Sequence, residues 1–419
     1  MTIHHNKRRA AQGKRLHKAM MLPGICAGVA LLASVPSYAD DSSDQDTVAV
    51  TPAPLPDIEI KGKETVSWDS NPLMLATGAK SLFGSVTSPE LILRSTTPIA
   101  SISADTRLDE NIYNQSDFNS TDVHEDINLK KQLEQWGAAI EGRADYDTVR
   151  TSELTTYGLN LPSVRHTGLS AAPELSYQFT SIDRVALDGN VIHSTYNNDA
   201  FVDFNVFSVT PSYMHSFDER NQGLFSIQTQ RYQATSGNKT RVDSVGPSVG
   251  WVTQLTPRLT GKITAGVQKS WQAASATADA SQEWNYIFTA DLAFKGKQDT
   301  TDLTATRSQY PFSNGTETLL TSFALKETHN LNSKVALNAA GNYQFAKSPP
   351  ASTTTINLDR EYGASAGAAY HVTDHVDLDT TYQYRNETLT GVNGNIPDHL
   401  VLVSIAYHPF TATPLNHDD

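Results

Sequence analysis

Charged and amide side chains recur at every second position in several stretches of this sequence, and they are its strongest candidates for chemistry. Between Ser101 and Asp109, polar side chains alternate with apolar ones. Successive side chains of a β-strand point to opposite faces, so the charged members of such a stretch share one wet face. The predicted pore-lining residues all belong to such faces and are Asp105, Arg107, Asp109, Asp126, Lys130, Glu141, Arg143, Asp145, Glu174, Asp188, Asn190, Lys262, Asp291, Asp377, Asp379 and Arg385.

Two interpretations of this wet face stay open. Charged side chains around an aqueous passage set its ion selectivity. Alternatively, charges on one face of a sheet simply pair with their cross-strand neighbours. Three tyrosines fall in the same inward register, Tyr196, Tyr232 and Tyr310, and we hypothesise that they stack on sugar rings, although inward tyrosines also fill space.

Metal ligands are not predicted. His371 and His375 are four residues apart, a spacing that joins two histidines on a helix, but here a turn is expected between them. A second group, Asp122, His124, Glu125 and Asp126, lies within one strand, whose neighbouring side chains point to opposite faces. We therefore expect no metal and no other cofactor.

Catalysis is not predicted either. The pairs His193-Ser194 and His215-Ser216 could suggest a hydrolase. However, adjacent residues of a strand cannot form a nucleophile–base contact with each other. The Gly-x-Ser-x-Gly matches at 246–250 and 363–367 lie within predicted strands and do not form the strand-to-helix turn of a nucleophile elbow. We interpret the chain as a non-enzyme with no catalytic residues, and keep a barrel hydrolase acting on lipid or glycan as a lesser alternative.

The elements that must position these side chains repeat between Thr167 and Leu255. Pro173, Pro211 and Pro247 each lie in an alternating stretch and follow one another at intervals of about 36–38 residues. Such a repeat holds two strands of about ten residues, a short turn and a long loop, which is typical of a transmembrane β-barrel. A β-propeller blade needs four shorter strands. A soluble β-sandwich would also show alternation and remains an alternative.

Short turns alternate with long polar loops along the rest of the chain. This predicts an all-β, antiparallel, up-and-down transmembrane barrel of eighteen strands, with sixteen as the alternative. The uncertain strand is the first, Asp57 to Trp68, and Met74 to Val86 is predicted to be a loop. The last strand is expected to stop near Tyr407 or His408, because the following proline interrupts strand pairing.

The predicted organisation is a signal peptide (1–39), a disordered acidic and proline-rich leader (40–56), the barrel (57–410) and a C-terminal tail (411–419). Removing residues 1–39 takes away six of the 32 basic residues and none of the 45 acidic ones, leaving a net charge of −19. This balance excludes nucleic acid as a partner. Cys26, the single cysteine, lies in the predicted signal, so no disulfide is expected.

Three motifs carry a family resemblance: Trp68-Asp-Ser-Asn-Pro72, Asp109-Glu-Asn-Ile-Tyr113, and the repeated strand-borne proline with an apolar residue two places on. With these, residues 57–410 resemble the outer-membrane β-barrel porin family associated with bacterial exopolysaccharide loci. The resemblance implies a pore in the bacterial outer membrane, some members serving polysaccharide export. It implies as partners outer-membrane lipid, the barrel-assembly machinery and polysaccharide export proteins. One departure is that nine residues follow Phe410, whereas such barrels usually end on an aromatic residue.

The sequence thus predicts an outer-membrane channel that passes polar solutes or an exported exopolysaccharide through an acidic lumen, with a preference for cations. The main alternative is a non-conducting barrel, plugged by its loops or leader, that serves assembly or adhesion.

Overall fold

A computed structural model of the chain describes residues 56–152, 164–237, 239–274, 280–313, 315–347, 358–389 and 394–411. The predicted signal, all but the last residue of the predicted leader, and all but the first residue of the predicted tail lie outside these residues. Among the described residues, no helix is long and apolar enough to cross a membrane.

The described chain is almost entirely β-strand, apart from a 3-10 turn at Ser116–Phe118 and one helical turn, α1, at Val149–Ser152. Its eighteen described strands are β1 (Asp57–Asp69), β2 (Leu82–Thr96), β3 (Ala100–Tyr113), β4 (Ser120–Gln132), β5 (Trp136–Thr148), β6 (Arg165–Gln178), β7 (Asp183–Tyr196), β8 (Phe204–Ser216), β9 (Asn221–Ala234), β10 (Arg241–Thr256), β11 (Leu259–Gln272), β12 (Ser281–Lys295), β13 (Asp299–Phe312), β14 (Thr316–Asn330), β15 (Val335–Lys347), β16 (Leu358–Thr373), β17 (Val376–Leu389) and β18 (Ile396–Thr411).

The strands form one closed barrel. Each strand pairs antiparallel with the next along the chain, and β1 pairs with β18 from Glu59↔Thr411 to Asp69↔Leu400. Closure gives each described strand a paired neighbour on both sides, which is how a sheet can stand in lipid. The predicted class and the count of eighteen are confirmed, and the uncertain first strand is β1.

Connections at the two ends of the barrel differ in length. At the short-turn end, where β1 starts and β18 finishes, the turns have two to four residues, such as 257–258 and 217–220. At the long-loop end, the connections between the described strands have six residues or more, as at 70–81, except for 313–315. In the turn 217–220, the Asp218 carboxylate accepts hydrogen bonds from the backbone N–H groups of Arg220 (2.7 Å) and Asn221 (2.9 Å) and from the Asn221 side-chain amide.

The outer face of the barrel is apolar and the inner face is polar. On β5 the outward Ile140 is 46% exposed, and on β10 the outward Val249 is 63% exposed. Aromatic side chains mark both ends of this apolar band. Trp136 and Tyr177 pack 4.5 Å apart near the short turns, and the Lys269 ammonium lies between the rings of Trp271 and Trp284 near the long loops. Such aromatic girdles are typical of barrels in membranes.

Two predicted boundaries are wrong. β2 begins at Leu82, inside the predicted loop Met74 to Val86. The sequence did not reveal this start because the outward residues there include the polar Ser85 and Thr87, which interrupt the apolar alternation. β18 continues to Thr411, past the predicted end at Tyr407 or His408. Pro409 is tolerated because the ladder with β17 ends at Val376↔Tyr407 and a bulge opposite Ile60 and Gly62 of β1 accommodates it.

Candidate functional site

The strand register places the sixteen predicted pore-lining residues on one face. In each strand they alternate with outward apolar side chains, so Asp105 lies opposite Asp126 and Lys262 lies opposite Asp291, all facing inward. The inner wall is therefore a continuous polar surface. Within it, four groups of side chains make specific contacts, and one hairpin folds across it.

The first group lies on the inner wall of β3 to β6 near the long loops, and we call it the His124 cluster; it contains Asp109, Asp122, His124, Asp145, Asp147 and His166. His124 Nδ1 lies 2.6 Å from Asp145 Oδ1, and its Nε2 lies 3.4 Å from Asp109 Oδ2. His166 Nδ1 lies 2.9 Å from Asp147 Oδ1. Four carboxylates and two imidazoles thus meet on one patch of wall.

Three arginines border the His124 cluster. Arg143 donates to Asp145 at 2.7 Å, Arg107 donates to Asp109 at 3.2 Å, and Arg165 donates to Asp122 at 2.7 Å. The cations hold the carboxylates in place from the side, as charge-assisted hydrogen bonds do. Arg107 and Arg143 were predicted to line the pore, whereas Arg165 was not singled out.

A second group surrounds a cavity of about 370 Å³ on the inner wall of β6 to β13. Its charged lining residues are Glu174, Arg184, Asp188, Lys262 and Arg307, and most of its other polar lining residues are serines and threonines. Arg184 donates to Glu174 at 2.8 Å. Both signs of charge therefore face one volume large enough for a small polar solute.

The third group lies beneath the loop that follows β1. Arg385 donates to Asp398 at 2.8 Å and lies 4.0 Å from Asp69. The backbone N–H of Asn71 donates to both of these carboxylates at 2.9 Å. The predicted pore-lining Arg385 is thus 7% exposed and serves to fix the loop to the wall.

Near the short turns, Asp377 lies between two imidazoles, 2.6 Å from His371 and 3.1 Å from His408. His375 contacts the backbone oxygen of His408 instead, at 3.1 Å. His371 and His375 therefore do not share a partner, in keeping with the turn expected between them.

The hairpin of β13 and β14 folds inward at the long-loop end. The ladder between β12 and β13 stops at Phe288↔Arg307, whereas β13 and β14 stay paired up to Phe312↔Thr316. Beyond Arg307 the hairpin lies across the inner face of β9 to β12 instead of continuing the barrel wall. We call residues 308–318 the inner hairpin.

Contacts with distant strands hold the inner hairpin in place. Glu317 accepts a hydrogen bond from Gln230 of β9 at 2.6 Å, and Gln309 donates to Ser270 of β11. The backbone N–H of Val202 donates to the Ser313 carbonyl oxygen at 2.7 Å. As a result the inner-wall side chains Ser244, Gln268, Ser270 and Asn285 are buried. The hairpin therefore narrows the passage on this side.

The three predicted sugar-stacking tyrosines have different surroundings. Tyr232 is 0% exposed, packs 5.5 Å from Phe204 and donates to the Phe312 carbonyl oxygen, so no ring face is left for a sugar. The stacking hypothesis is wrong for Tyr232, because the sequence indicated the direction of its side chain but not the hairpin above it. Tyr196 packs against Phe201, and Tyr310 is 40% exposed.

Neither histidine–serine pair forms a catalytic arrangement. His193 and His215 both lie on the outer face, where their Nδ1 atoms contact Asn205 (2.6 Å) and Asp183 (2.7 Å). The following serines, Ser194 and Ser216, face inward. The pairs are separated by the sheet, as strand geometry requires.

Sequence reasoning missed the inner hairpin and its contact residues Gln230, Gln309 and Glu317. Its strands alternate like the others, so periodicity gives no sign of the inward fold. The one feature that could have indicated the inner hairpin is the connection 313–315, which is the shortest between the described strands at the long-loop end. A short connection suits a hairpin that folds back on the wall.

Residues 221–408 match the model of a family described as "Putative beta-barrel porin 2". A comparison with curated proteins finds no match. The match supports the predicted resemblance to outer-membrane porins, and it carries no information on exopolysaccharide.

Several solved structures are similar to the chain. Pseudomonas aeruginosa OccK11 (OpdR) is 10% identical with a TM-score of 0.44, and OccK2 (OpdF) of the same organism, in complex with glucuronate, is 11% identical with a TM-score of 0.45. In both cases the match covers 85% of this chain and 98% of the other. The outer membrane channel DcaP of Acinetobacter baumannii is 11% identical, with 84% and 97% covered and a TM-score of 0.43.

Proposed function

We propose that this chain is a channel of the bacterial outer membrane that passes small polar solutes and prefers cations to anions. The observation that carries the proposal is the closed β1–β18 seam around a polar inner wall, with an apolar outer face. A sheet with these two faces is stable only with hydrocarbon outside and water inside. The match of residues 221–408 to a porin family supports the same function.

Cation preference follows from the charges of the inner wall. On β3 to β5, the inward acids are Asp105, Asp109, Asp122, Asp126, Glu141, Asp145 and Asp147, and the inward bases are Arg107, Lys130 and Arg143. Excess negative charge in a low-dielectric tube concentrates cations and repels anions.

Small solutes are favoured over a polymer by the inner hairpin. Its contact with Gln230 brings β14 against β9 and occupies part of the cross-section. The cavity beside it, with Glu174, Arg184, Asp188 and Lys262, suits a solute the size of a sugar or an amino acid. Export of an exopolysaccharide, which the sequence resemblance implies, would require the inner hairpin to leave the wall.

Reversal potentials across planar bilayers test the proposal. We expect the wild type to conduct and to select K⁺ over Cl⁻ in a KCl gradient. The double variant D105N/D126N, which neutralises a directly opposed pair, should lower the cation preference. The matched control is E219Q, because Glu219 lies in the exposed turn 217–220 outside the passage.

Two results would contradict the proposal. Anion selectivity in the wild type would show that the inner-wall acids do not control permeation. Absence of conductance, together with absence of sugar-driven liposome swelling, would favour the alternative of a plugged structural barrel.

A further inference from the structure

The outer face of β9 to β12 near the long loops carries an excess of basic side chains, and we propose that it binds a phosphorylated glycolipid of the outer leaflet. We call this surface the basic face; it consists of Arg231, Arg241, Asp243, Lys269, Trp271 and Trp284. The inference rests on the proposed position of the barrel in the outer membrane, and it does not depend on channel activity.

The strand register brings the basic face together from four neighbouring strands. Arg231 of β9 lies opposite Asp243 of β10, which lies opposite Trp271 of β11. Lys269 lies opposite Trp284 of β12. In each strand these positions alternate with inward side chains, so they share the outer face. One strand separates β9 from β11, which puts the two strands about 10 Å apart. A headgroup with more than one phosphate can therefore contact both.

Asp243 positions two arginines of the basic face and balances the charge of only one. Arg231 Nε lies 2.6 Å from Asp243 Oδ1, and Arg241 Nη2 lies 2.6 Å from Asp243 Oδ2. The two arginine side chains are 49% and 45% exposed. Because a guanidinium has five N–H donors, each arginine keeps donors for a second acceptor. The fork of these donors matches the oxygens of a phosphate.

Lys269 has no acidic partner among the described residues. Its ammonium lies 5.1 Å from the centre of the Trp271 ring and 5.5 Å from that of Trp284. The rings hold the ammonium in place by cation–π attraction, but they do not balance its charge. A positive charge on the lipid-facing side of the barrel thus lacks a counter-ion, and a lipid phosphate supplies one.

The depth of the basic face matches that of lipid headgroups. Tryptophan rings of membrane proteins lie at the interface between hydrocarbon and water. Trp284 is 66% exposed and contacts Lys269, so the ammonium lies at the level of the lipid phosphate groups. In outer-membrane barrels the long loops are extracellular. The bound lipid therefore belongs to the outer leaflet.

Other parts of the outer face do not suit a phosphate. On β1 to β4 the outward charges include Glu64, Glu110 and Glu125, each of which accepts a hydrogen bond from a threonine. A carboxylate repels a phosphate unless a divalent cation lies between them. The basic face needs no such bridge, because its own cations contact the phosphate. Chelation of divalent cations should therefore leave the lipid bound.

Native mass spectrometry of the full barrel, purified in detergent, tests the proposal by titration with diphosphorylated lipid A. We expect one tightly bound lipid A per chain, retained in EDTA. K269Q and R231Q should each weaken binding at least ~10-fold, whereas K269R should retain it because the cation is kept. The matched control is K131Q, since Lys131 also faces outward but lies at the short-turn end of β4; its affinity should stay unchanged.

Heat-modifiable gel mobility shows which variants have folded, and R231Q serves if K269Q does not fold. The proposal is overturned if dephosphorylated lipid A, or inorganic phosphate alone, binds as tightly as lipid A does. It is also overturned if folded K269Q and R231Q both bind lipid A like the wild type. If these two variants instead separate an oligomer of the barrel and keep their lipid affinity, the basic face is a contact between copies and the proposal fails.

These outcomes are separate from those of the channel proposal. Loss of lipid A binding leaves conductance and ion selectivity unchanged, because both depend on the inner wall. A wild-type barrel that does not insert into lipid vesicles would contradict the proposed function itself.

Discussion

A disulfide between positions 202 and 315 would test whether the inner hairpin lies against the wall. A Cβ atom built on Gly315 would be 3.4 Å from the Cβ of Val202. Disulfides need about 3.5–4.5 Å between these atoms, so the double variant V202C/G315C should cross-link after a small adjustment. The single native cysteine, Cys26, lies far away in sequence, in the predicted signal.

Two opposing effects set the stability of the cross-linked variant. Gly315 has a φ of +84°, where a cysteine costs roughly 1–2 kcal/mol. Closing a loop on the order of 100 residues in the unfolded chain contributes about 4.7 kcal/mol. The oxidised variant should therefore be more stable to unfolding than its reduced form by about 4–5 kcal/mol, and than the wild type by about 3 kcal/mol.

Non-reducing gel mobility and denaturant titration measure cross-linking and stability, and single-channel recording measures the passage. Because the hairpin already lies inward, we expect oxidised and reduced proteins to conduct equally. The control pair V202C/G394C should not cross-link, since a Cβ on Gly394 has no neighbour within 4 Å. Failure of V202C/G315C to cross-link would refute the inward fold. A reduced form that conducts much better than the oxidised form would show instead that the hairpin opens during transport.

Two further predictions concern the faces and turns of the barrel. Ile140→Arg places a charge on the outer face and should destabilise the barrel by roughly 2–4 kcal/mol in refolding titrations with vesicles. Glu141→Arg changes the next residue, which faces inward, and should cost less than about 1 kcal/mol. Equal effects of the two substitutions would contradict the assigned faces. In the turn 217–220, hydrogen bonds from the Asn221 side-chain amide and the Arg220 backbone N–H hold the pKa of Asp218 below its ordinary value. Because the pKa of Asp218 is lower in the folded state, its ionised form stabilises the fold at any pH above the pKa of the unfolded chain, about 3.9. This stabilisation is lost as the pH falls through the pKa of the folded state. D218N should therefore be less stable than the wild type at neutral pH and should match it in strong acid, as followed by denaturant titration against pH; a difference that persists in strong acid would contradict the charge-based explanation.

The fold was largely predictable because a membrane barrel has apolar side chains outside and polar side chains inside, and the two kinds alternate along each strand. Each strand must alternate apolar and polar side chains, and this signal depends only on neighbours in sequence. Strand number and the inward direction of residues such as Asp105 and Lys262 follow from it. The predicted stop near Tyr407 was wrong because β18 has a bulge opposite β1, which the sequence does not reveal and which admits Pro409.

The site was less predictable because its contacts join residues far apart in the chain. Tyr232 is buried by Phe312, 80 residues away, and Gln230 meets Glu317, 87 residues away. The His124 cluster joins four strands, so its members are recognisable only after the register is known. Periodicity predicts whether a side chain faces the inside or the outside of the barrel. Which distant residues it contacts there is set by the tertiary structure.

The first strand shows how the two levels combine. β1 was uncertain from sequence because Gly62 and Glu64 interrupt its outward apolar series of Ile58, Ile60, Val66 and Trp68. In the barrel, Thr87 of β2 donates a hydrogen bond to the Glu64 carboxylate at 2.6 Å. Similar outward pairs join Thr121 to Glu110 and Thr106 to Glu125. An outward carboxylate next to lipid is costly unless it has a hydrogen-bond donor, and the neighbouring strand supplies one. Cross-strand hydrogen bonds therefore explain how the outer face of β1 to β4 can lie in the membrane although it carries Glu64, Glu110 and Glu125.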